Sequence, residues 1–125
     1  MNENELSRII VDSCLKIHKE LGPGLLESVY EEVLFYELTK HNLMCERQVE
    51  IPVIYENLKM DIGFRVDIIV ERKVIIELKS VENIMPVHKK QLLTYLKLTG
   101  MKLGLLINFN VELIKDGITR IVNKL

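Results

Sequence analysis

Two acidic residues and a lysine lie in strand-like, otherwise apolar sequence: Asp67 and, ten residues later, Glu77 and Lys79. If residues 71–73 form a three-residue hairpin loop, Asp67 faces Glu77 across the strand pair, with Cβ atoms roughly 4.5–5.5 Å apart. Like charges this close destabilise a sheet unless a cation lies between them, and a hard divalent cation with oxygen ligands is the natural candidate. Lys79, two residues along the same face, can then hold a water or stabilise developing negative charge.

The prediction depends on the loop length and on the alternation of the first strand. Apolar residues of segment 60–70 fall on one face, and Asp67 falls on the other, less apolar face. The first set is Met60, Ile62, Phe64, Val66, Ile68 and Val70, and the second is Asp61, Gly63, Arg65, Asp67 and Ile69. A two-residue loop would send the two acids to opposite faces. Alone, Glu-x-Lys is also typical of a solvated salt bridge between strands.

A predicted helix over residues 25–41 carries acids on the stripe that should pack against the sheet. Steps of 100° per residue align Glu27, Tyr30, Glu31, Leu34 and Leu38. Burying an unpaired carboxylate is unfavourable, so Glu27 and Glu31 need a cation, hydrogen-bond donors or a cleft at the edge of the sheet. The alternative is a first turn that frays into water and favours acids through the helix dipole.

The helix that follows Pro86 repeats this anomaly, because His88, Gln91 and Tyr95 share a stripe with apolar residues. Gln91 on a core-facing stripe requires hydrogen-bond partners, which the neighbouring acids offer. His88 is equally typical of a structural histidine near a helix start. Lys89, at the border of the apolar stripe, is the better placed of the nearby lysines to reach a ligand.

The elements that position these residues follow in the order α-α-β-β-β-α-β with a small β extension, which predicts an α/β sandwich with a mixed sheet. Helices are predicted over 5–20, 25–41 and 86–99, and strands over 45–55, 59–70, 74–80 and 102–109. Pro52 indicates a free edge or a bulge in the first strand. Residues 113–122 are predicted to form a hairpin that turns at Asp116 and Gly117.

Length and composition indicate one domain over residues 1–125, which is large enough to be stable without a disulfide or a structural metal. Cys14 and Cys45 match no metal spacing and are expected to fill core space in a reducing compartment. No apolar run approaches the ~18 residues of a membrane span, so a cytoplasmic protein without a membrane partner is expected.

The net charge of −1 hides an asymmetry along the chain. Residues 1–82 carry ten basic and sixteen acidic side chains, whereas residues 83–125 carry seven basic and two acidic ones. The basic segment is suited to a phosphate backbone, although a solvated helix face with lysines has the same composition.

Together these residues resemble the PD-(D/E)XK nuclease superfamily, in which an acid-bearing helix precedes a strand Asp, a Glu-x-Lys strand and a helix with Gln-x-x-x-Tyr. Gly24, Glu27 and Tyr30 match the signature for which the GxxExxY proteins are named. The resemblance covers nearly the whole chain, from residues 17–22 through 91–96 to 106–110. Val66 replaces the proline of the superfamily name, at a position that is loose in the superfamily.

The resemblance implies a restriction-endonuclease-like αβββαβ core and metal-dependent hydrolysis of phosphodiester bonds, with DNA favoured over RNA as the substrate. It implies that Asp67, Glu77 and the backbone carbonyl of Leu78 hold Mg²⁺ or Mn²⁺, and that Glu27 completes the metal site. Lys79 would orient or activate the attacking water. No iron–sulfur cluster is expected, because the cysteines of cluster-bearing relatives are absent.

Gln91 would join Asp67, Glu77 and Lys79 as a catalytic residue, since Gln91 and Tyr95 match the helix motif of the exonuclease-like branch. Supporting or substrate-binding roles are expected for a second group, namely Tyr30, Glu31, His88, Lys89 and Tyr95.

Two other functions fit the same residues. A catalytically silent module with this fold would bind nucleic acid or protein without cutting, and the low net charge favours it because a lone domain of this charge should bind DNA poorly. Dimerisation would offset this weakness by joining two basic C-terminal halves. A small-molecule phosphohydrolase would instead require an enclosed pocket.

Overall fold

The computed structural model describes the backbone of residues 1–125 and the side chains of residues 1–60 and 63–125. The described chain runs α1 Glu3–Leu21, α2 Glu27–Lys40, β1 Cys45–Tyr55, β2 Leu58–Val70, β3 Val74–Lys79, α3 Pro86–Thr99, β4 Leu103–Asn108, a 3₁₀ turn Ile114–Gly117 and β5 Ile118–Val122. None of the described helices combines the length and the apolarity needed to cross a bilayer.

The five strands form one sheet in the order β1-β2-β3-β4-β5. Only the pair β3–β4 among the described pairs is parallel, and α3 connects these two strands. The predicted α/β fold with a mixed sheet and an αβββαβ core is confirmed. The expectation at Pro52 is confirmed as well, since β1 lies at the sheet edge and its register shifts between Pro52 and Ile54.

Helices cover both faces of the sheet, which accounts for the nearly continuous apolar sequence of β3 and β4. One core cluster joins α1 and α2 to the sheet, and its members include Leu6, Ile10, Cys14, Leu34, Ile76 and Leu105. The other cluster joins α3 to the opposite face, through Leu92, Tyr95, Leu96, Ile69, Ile75 and Leu106. Cys14 is buried in the first cluster and Cys45 packs against it, as predicted.

The hairpin between β2 and β3 has the predicted three-residue loop. Val70 pairs with Val74, Ile69 with Ile75 and Ile68 with Ile76, which is the predicted register. Backbone pairing ends at Ile68 and Ile76, one residue before the predicted facing pair of Asp67 and Glu77. The two strands therefore separate where the two acids lie.

The predicted alternation of β2 is wrong next to Asp67. Val66 belongs to the α3 cluster with Phe64, whereas Ile68 belongs to the cluster of α1 and α2. The physical reason lies in β1, where Gln48 has a φ of 50° between the pairs Arg47–Ile68 and Val49–Val66. A left-handed residue inside a strand interrupts the alternation, so both strands exchange faces here. The side chains of Asp61 and Ile62, which the alternation also placed, lie outside the described residues.

The predicted hairpin over residues 113–122 is wrong in its first half. Ile114–Gly117 forms a 3₁₀ turn, and β5 pairs antiparallel with β4. Ile114 is buried and belongs to the core cluster of α1 and α2. Burial of this side chain under the helices favours a turn against the core over a second extended strand.

Substituting Gly117 by alanine is expected to destabilise the protein by about 1–3 kcal/mol. An added Cβ would overlap the backbone oxygen of Asn108, which cannot move without disturbing the end of β4. Urea denaturation measures the loss, and Lys115→Ala in the same turn is the exposed control. A change in Gly117→Ala as small as that of the control would contradict the expectation.

Candidate functional site

A cleft of about 190 Å³ opens where β2 and β3 separate, at the carboxyl end of β3. The first residue of α2, the first three turns of α3 and Leu106 of β4 form its other walls. The residues that line it are Glu27, Arg65, Asp67, Glu77, Lys79, His88, Gln91, Tyr95 and Leu106. The structure thus brings together most of the residues that the sequence singled out.

Asp67 extends the β2–β3 ladder with its side chain. Its Oδ2 accepts a hydrogen bond from the Leu78 N–H at 2.8 Å, and its Oδ1 accepts one from Gln48 Nε2 at 3.3 Å. The N–H and C=O of a strand residue point to the same side of the strand, so the Leu78 carbonyl also points toward β2. Leu78 itself is buried and does not line the cleft, so its carbonyl lies behind the residues that do.

Glu77 carries a buried carboxyl group, and one of its two oxygens has no hydrogen-bond donor in the described part of the chain. Glu77 is only 8 % exposed, and its Oε1 atom has no hydrogen-bond partner among the described residues. Burial, and next the charge of Asp67, raise the pKa of Glu77 to about 9, whereas the charge of Lys79 lowers it. A cation beside Glu77 would remove this penalty, since an opposite charge favours the ionised form.

Lys79 and Tyr95 line the cleft together with the two acids. No described carboxylate lies within 4.0 Å of the Lys79 ammonium, which leaves it available to a ligand. Tyr95 is mostly buried against Phe64, with ring centroids 5.0 Å apart. Burial, followed by the charges of Glu77 and Asp67, raises the pKa of Tyr95, so its hydroxyl remains a neutral donor.

The first turns of α3 present a histidine and an amide to the cleft. His88 Nδ1 accepts the Met85 N–H at 3.1 Å, which leaves the proton of a neutral ring on Nε2. The prediction that Gln91 lies on a buried stripe is wrong. Gln91 is exposed in the cleft and bonded to no described residue. The reason is that β2 and β3 separate beneath this part of α3 and leave it uncovered.

Glu27 begins α2 and is tied to the end of β3. Its Oε2 accepts the Ser80 N–H at 3.1 Å, and the Ser80 hydroxyl donates to the Leu25 carbonyl at 2.6 Å. Glu27 is exposed and lines the cleft, so the first turn of α2 is held at the site.

Tyr30 lies outside the cleft, in the core. Its hydroxyl donates to the Gly22 carbonyl at 2.6 Å and accepts from the Leu25 N–H at 3.2 Å. The ring stacks on Phe109 with centroids 4.2 Å apart. Tyr30 therefore fixes the loop that leads into Glu27.

Glu31 and Lys89 do not line the cleft either. Glu31 is buried, and its Oε2 accepts from Arg47 Nε at 3.1 Å and from Arg47 Nη2 at 2.9 Å. Its Oε1 accepts from Gln48 Nε2 at 2.5 Å. Lys89 is exposed on the first turn of α3, next to His88.

Sequence reasoning missed Arg65, Leu106 and Gln48. Arg65 lines the cleft and pairs with Glu50 at 2.8 Å. Its signal was its place two residues before Asp67 in the predicted alternation, which breaks next to Asp67 in the structure. Gln48 gave no such signal, since nothing in an ordinary strand sequence indicates a left-handed backbone.

The donors at the cleft fit a hard divalent cation. The described side chains include no group of three or more His, Cys, Asp and Glu residues arranged to hold a metal ion. Mg²⁺ nevertheless needs only one or two carboxylates, because it keeps several waters and takes substrate phosphates as further ligands. Asp67 and the unpartnered oxygen of Glu77, which both line the cleft, meet that requirement with oxygen donors alone.

Comparisons with known proteins agree with this geometry. Residues 4–121 match the family model of the PD-(D/E)XK nuclease superfamily. Searches of the curated proteins and of the solved structures gave no match. The match covers nearly the whole chain, including both acids, Lys79 and Gln91, and the chain therefore belongs to the PD-(D/E)XK nuclease superfamily.

Proposed function

We propose that the protein is a metal-dependent nuclease that hydrolyses phosphodiester bonds, with DNA favoured over RNA. The observation that carries the proposal is Glu77, a buried carboxyl group with an unpartnered oxygen beside Asp67. We further propose that the chain is a GxxExxY protein, on the evidence of Gly24, Glu27 and Tyr30. Superfamily membership supports a nucleic-acid substrate and a divalent metal.

Asp67, Glu77 and the Leu78 carbonyl would hold Mg²⁺ or Mn²⁺, and Glu27 would complete the site. A divalent cation there would lower the pKa of a bound water and offset charge on a phosphate oxygen. Holding the cation requires Glu77 to lose its proton, so metal binding and ionisation of Glu77 are coupled.

The remaining residues would act on the water and on the phosphate. The Lys79 ammonium would orient the attacking water and stabilise the negative charge that develops in the transition state. The Gln91 amide, the Tyr95 hydroxyl and His88 Nε2–H are donors facing the same cleft, suited to non-reacting phosphate oxygens. Catalysis would then consist mainly of positioning and charge stabilisation.

Contact with the nucleic-acid backbone would involve the basic C-terminal part of the chain, beginning with Lys89 on the first turn of α3. The net charge of −1 limits the affinity of one copy. A homodimer would join two such basic regions. The homodimer and a cytoplasmic location both stay predictions.

A catalytically silent binding module is the second candidate function. The low net charge favours it, as does the lack of a three-residue metal cluster among the described side chains. A small-molecule phosphohydrolase fits less well, because pockets for such ligands usually measure about 300–1,000 Å³. The cleft holds only about 190 Å³.

Calorimetry and a cleavage panel test the proposed function. Titration of the metal-free protein with MnCl₂ should release or absorb heat with saturation, and the Mn²⁺-loaded protein should cut single-stranded, duplex or branched DNA, or RNA. Saturable binding without cleavage of any substrate would favour the binding module. No binding heat at any concentration would refute a metal-dependent mechanism.

A further inference from the structure

A chain of hydrogen bonds connects four elements at the cleft, and Gln48 is its central member. The chain runs from Glu31 on α2 to Gln48 on β1, then to Asp67 on β2 and the Leu78 N–H on β3. One amide nitrogen, Gln48 Nε2, lies 2.5 Å from Glu31 Oε1 and 3.3 Å from Asp67 Oδ1. Gln48 therefore links Oδ1 of Asp67 to α2, while the Leu78 N–H holds Oδ2 of the same carboxylate.

The backbone of Gln48 is adapted to this contact. Its φ of 50° lies in the left-handed region, and the other non-glycine residues described with a positive φ lie in turns or near the C-terminus. Such a conformation inside a strand is unfavourable for a residue with a Cβ and persists only when its surroundings hold it. In this protein the residue with that conformation bonds two carboxylates, those of Glu31 and Asp67, through its side chain.

The chemistry of an amide suits this position. The Nε2 group carries two protons, so it can donate one to each carboxylate. Arg47 already compensates the charge of Glu31, with bonds of 3.1 and 2.9 Å. The amide adds no charge of its own, so it orients Asp67 without competing with a cation for that carboxylate.

We propose that Gln48 is a positioning residue, which aims the Asp67 carboxylate into the cleft and so sets the affinity of the site for a divalent cation. Residues that orient metal ligands typically change metal affinity or activity about 10- to 100-fold when they are substituted. The proposal rests on the proposed function only in assuming that a cation binds between Asp67 and Glu77.

Gln48→Gly is the decisive variant, because glycine accepts the left-handed backbone and removes the amide. The matched control is Glu56→Gly, at a residue with a φ of 54° in the turn between β1 and β2. Metal-free thermal unfolding should show both variants as stable as the wild type or more so. The dissociation constant of Mn²⁺, from calorimetry, should rise about 10- to 100-fold in Gln48→Gly alone.

The activity readout separates positioning from substrate binding. In Gln48→Gly, kcat at limiting Mn²⁺ should fall while the KM for nucleic acid stays within twofold of the wild-type value. If Gln48→Gly does not fold, Gln48→Met keeps the length of the side chain without the donor and should weaken Mn²⁺ binding in the same way. Wild-type Mn²⁺ affinity in the folded variants would overturn the proposal.

Failure of this proposal can be told apart from failure of the proposed function. A wild type that binds Mn²⁺ and cuts nothing refutes the nuclease, whereas weaker Mn²⁺ binding by Gln48→Gly would still support the positioning role. A wild type that cuts, together with a Gln48→Gly variant that binds and cuts equally well, refutes only the positioning role. A wild type that binds no Mn²⁺ overturns both.

Discussion

Replacing Lys79 by alanine is expected to lower metal-dependent cleavage about 10²- to 10³-fold, the usual effect of removing one preorganised group that stabilises transition-state charge. The Lys79 ammonium lines the cleft with both acids and lies within 4.0 Å of no described carboxylate, so a structural ion pair does not account for it. Single-turnover cleavage with saturating Mn²⁺ measures the effect.

Lys97→Ala is the matched control, because Lys97 is exposed in the last turn of α3 and does not line the cleft. Both variants should unfold at the wild-type temperature. Affinity for Mn²⁺ should be equal or tighter in Lys79→Ala, since a positive charge beside the acids has been removed. Cleavage by Lys79→Ala at the rate of Lys97→Ala would exclude a catalytic role for this lysine.

The hairpin that carries the site could be predicted because its signals are local. A three-residue polar loop between two β-branched runs fixes the register, and with it the proximity of Asp67 and Glu77. The bounds of α3 followed equally from Pro86 and Gly100, which begin and end a helix for steric reasons.

The exchange of faces at Gln48 could not be predicted, because it depends on contacts between elements distant in sequence. The side chain of Gln48, whose backbone is left-handed, bonds Glu31 and Asp67, which lie 17 and 19 residues away. Contacts between distant elements also decide the roles of the two acids on α2, although the helix itself was predicted correctly. Periodicity does not indicate that Glu31 pairs with Arg47 while Glu27 faces the cleft.

Glu77→Gln is expected to stabilise the metal-free protein at pH 7 by about 3 kcal/mol while abolishing the response to metal. The pKa of Glu77 is raised from 4.5 to about 9 by folding. Between these values the unfolded chain binds fewer protons than the folded one, so stability falls as pH rises, by about 1.4 kcal/mol per pH unit from this group. Below pH 4.5 the group is protonated in both states and the effect vanishes.

Urea denaturation in EDTA at pH 5, 7 and 8.5 measures how the free energy of unfolding falls with pH. The control is Glu112→Gln, at an exposed residue, which should leave this pH dependence unchanged. MnCl₂ at 100 times its dissociation constant should restore about 2.7 kcal/mol to the wild type and nothing to Glu77→Gln. The two effects share one cause, because the carboxyl group whose burial destabilises the metal-free protein is the one that a cation would need in its ionised form. A wild-type slope no steeper than that of Glu77→Gln would mean that Glu77 is ionised in the folded protein without metal, which removes the main physical argument for a cation at this site.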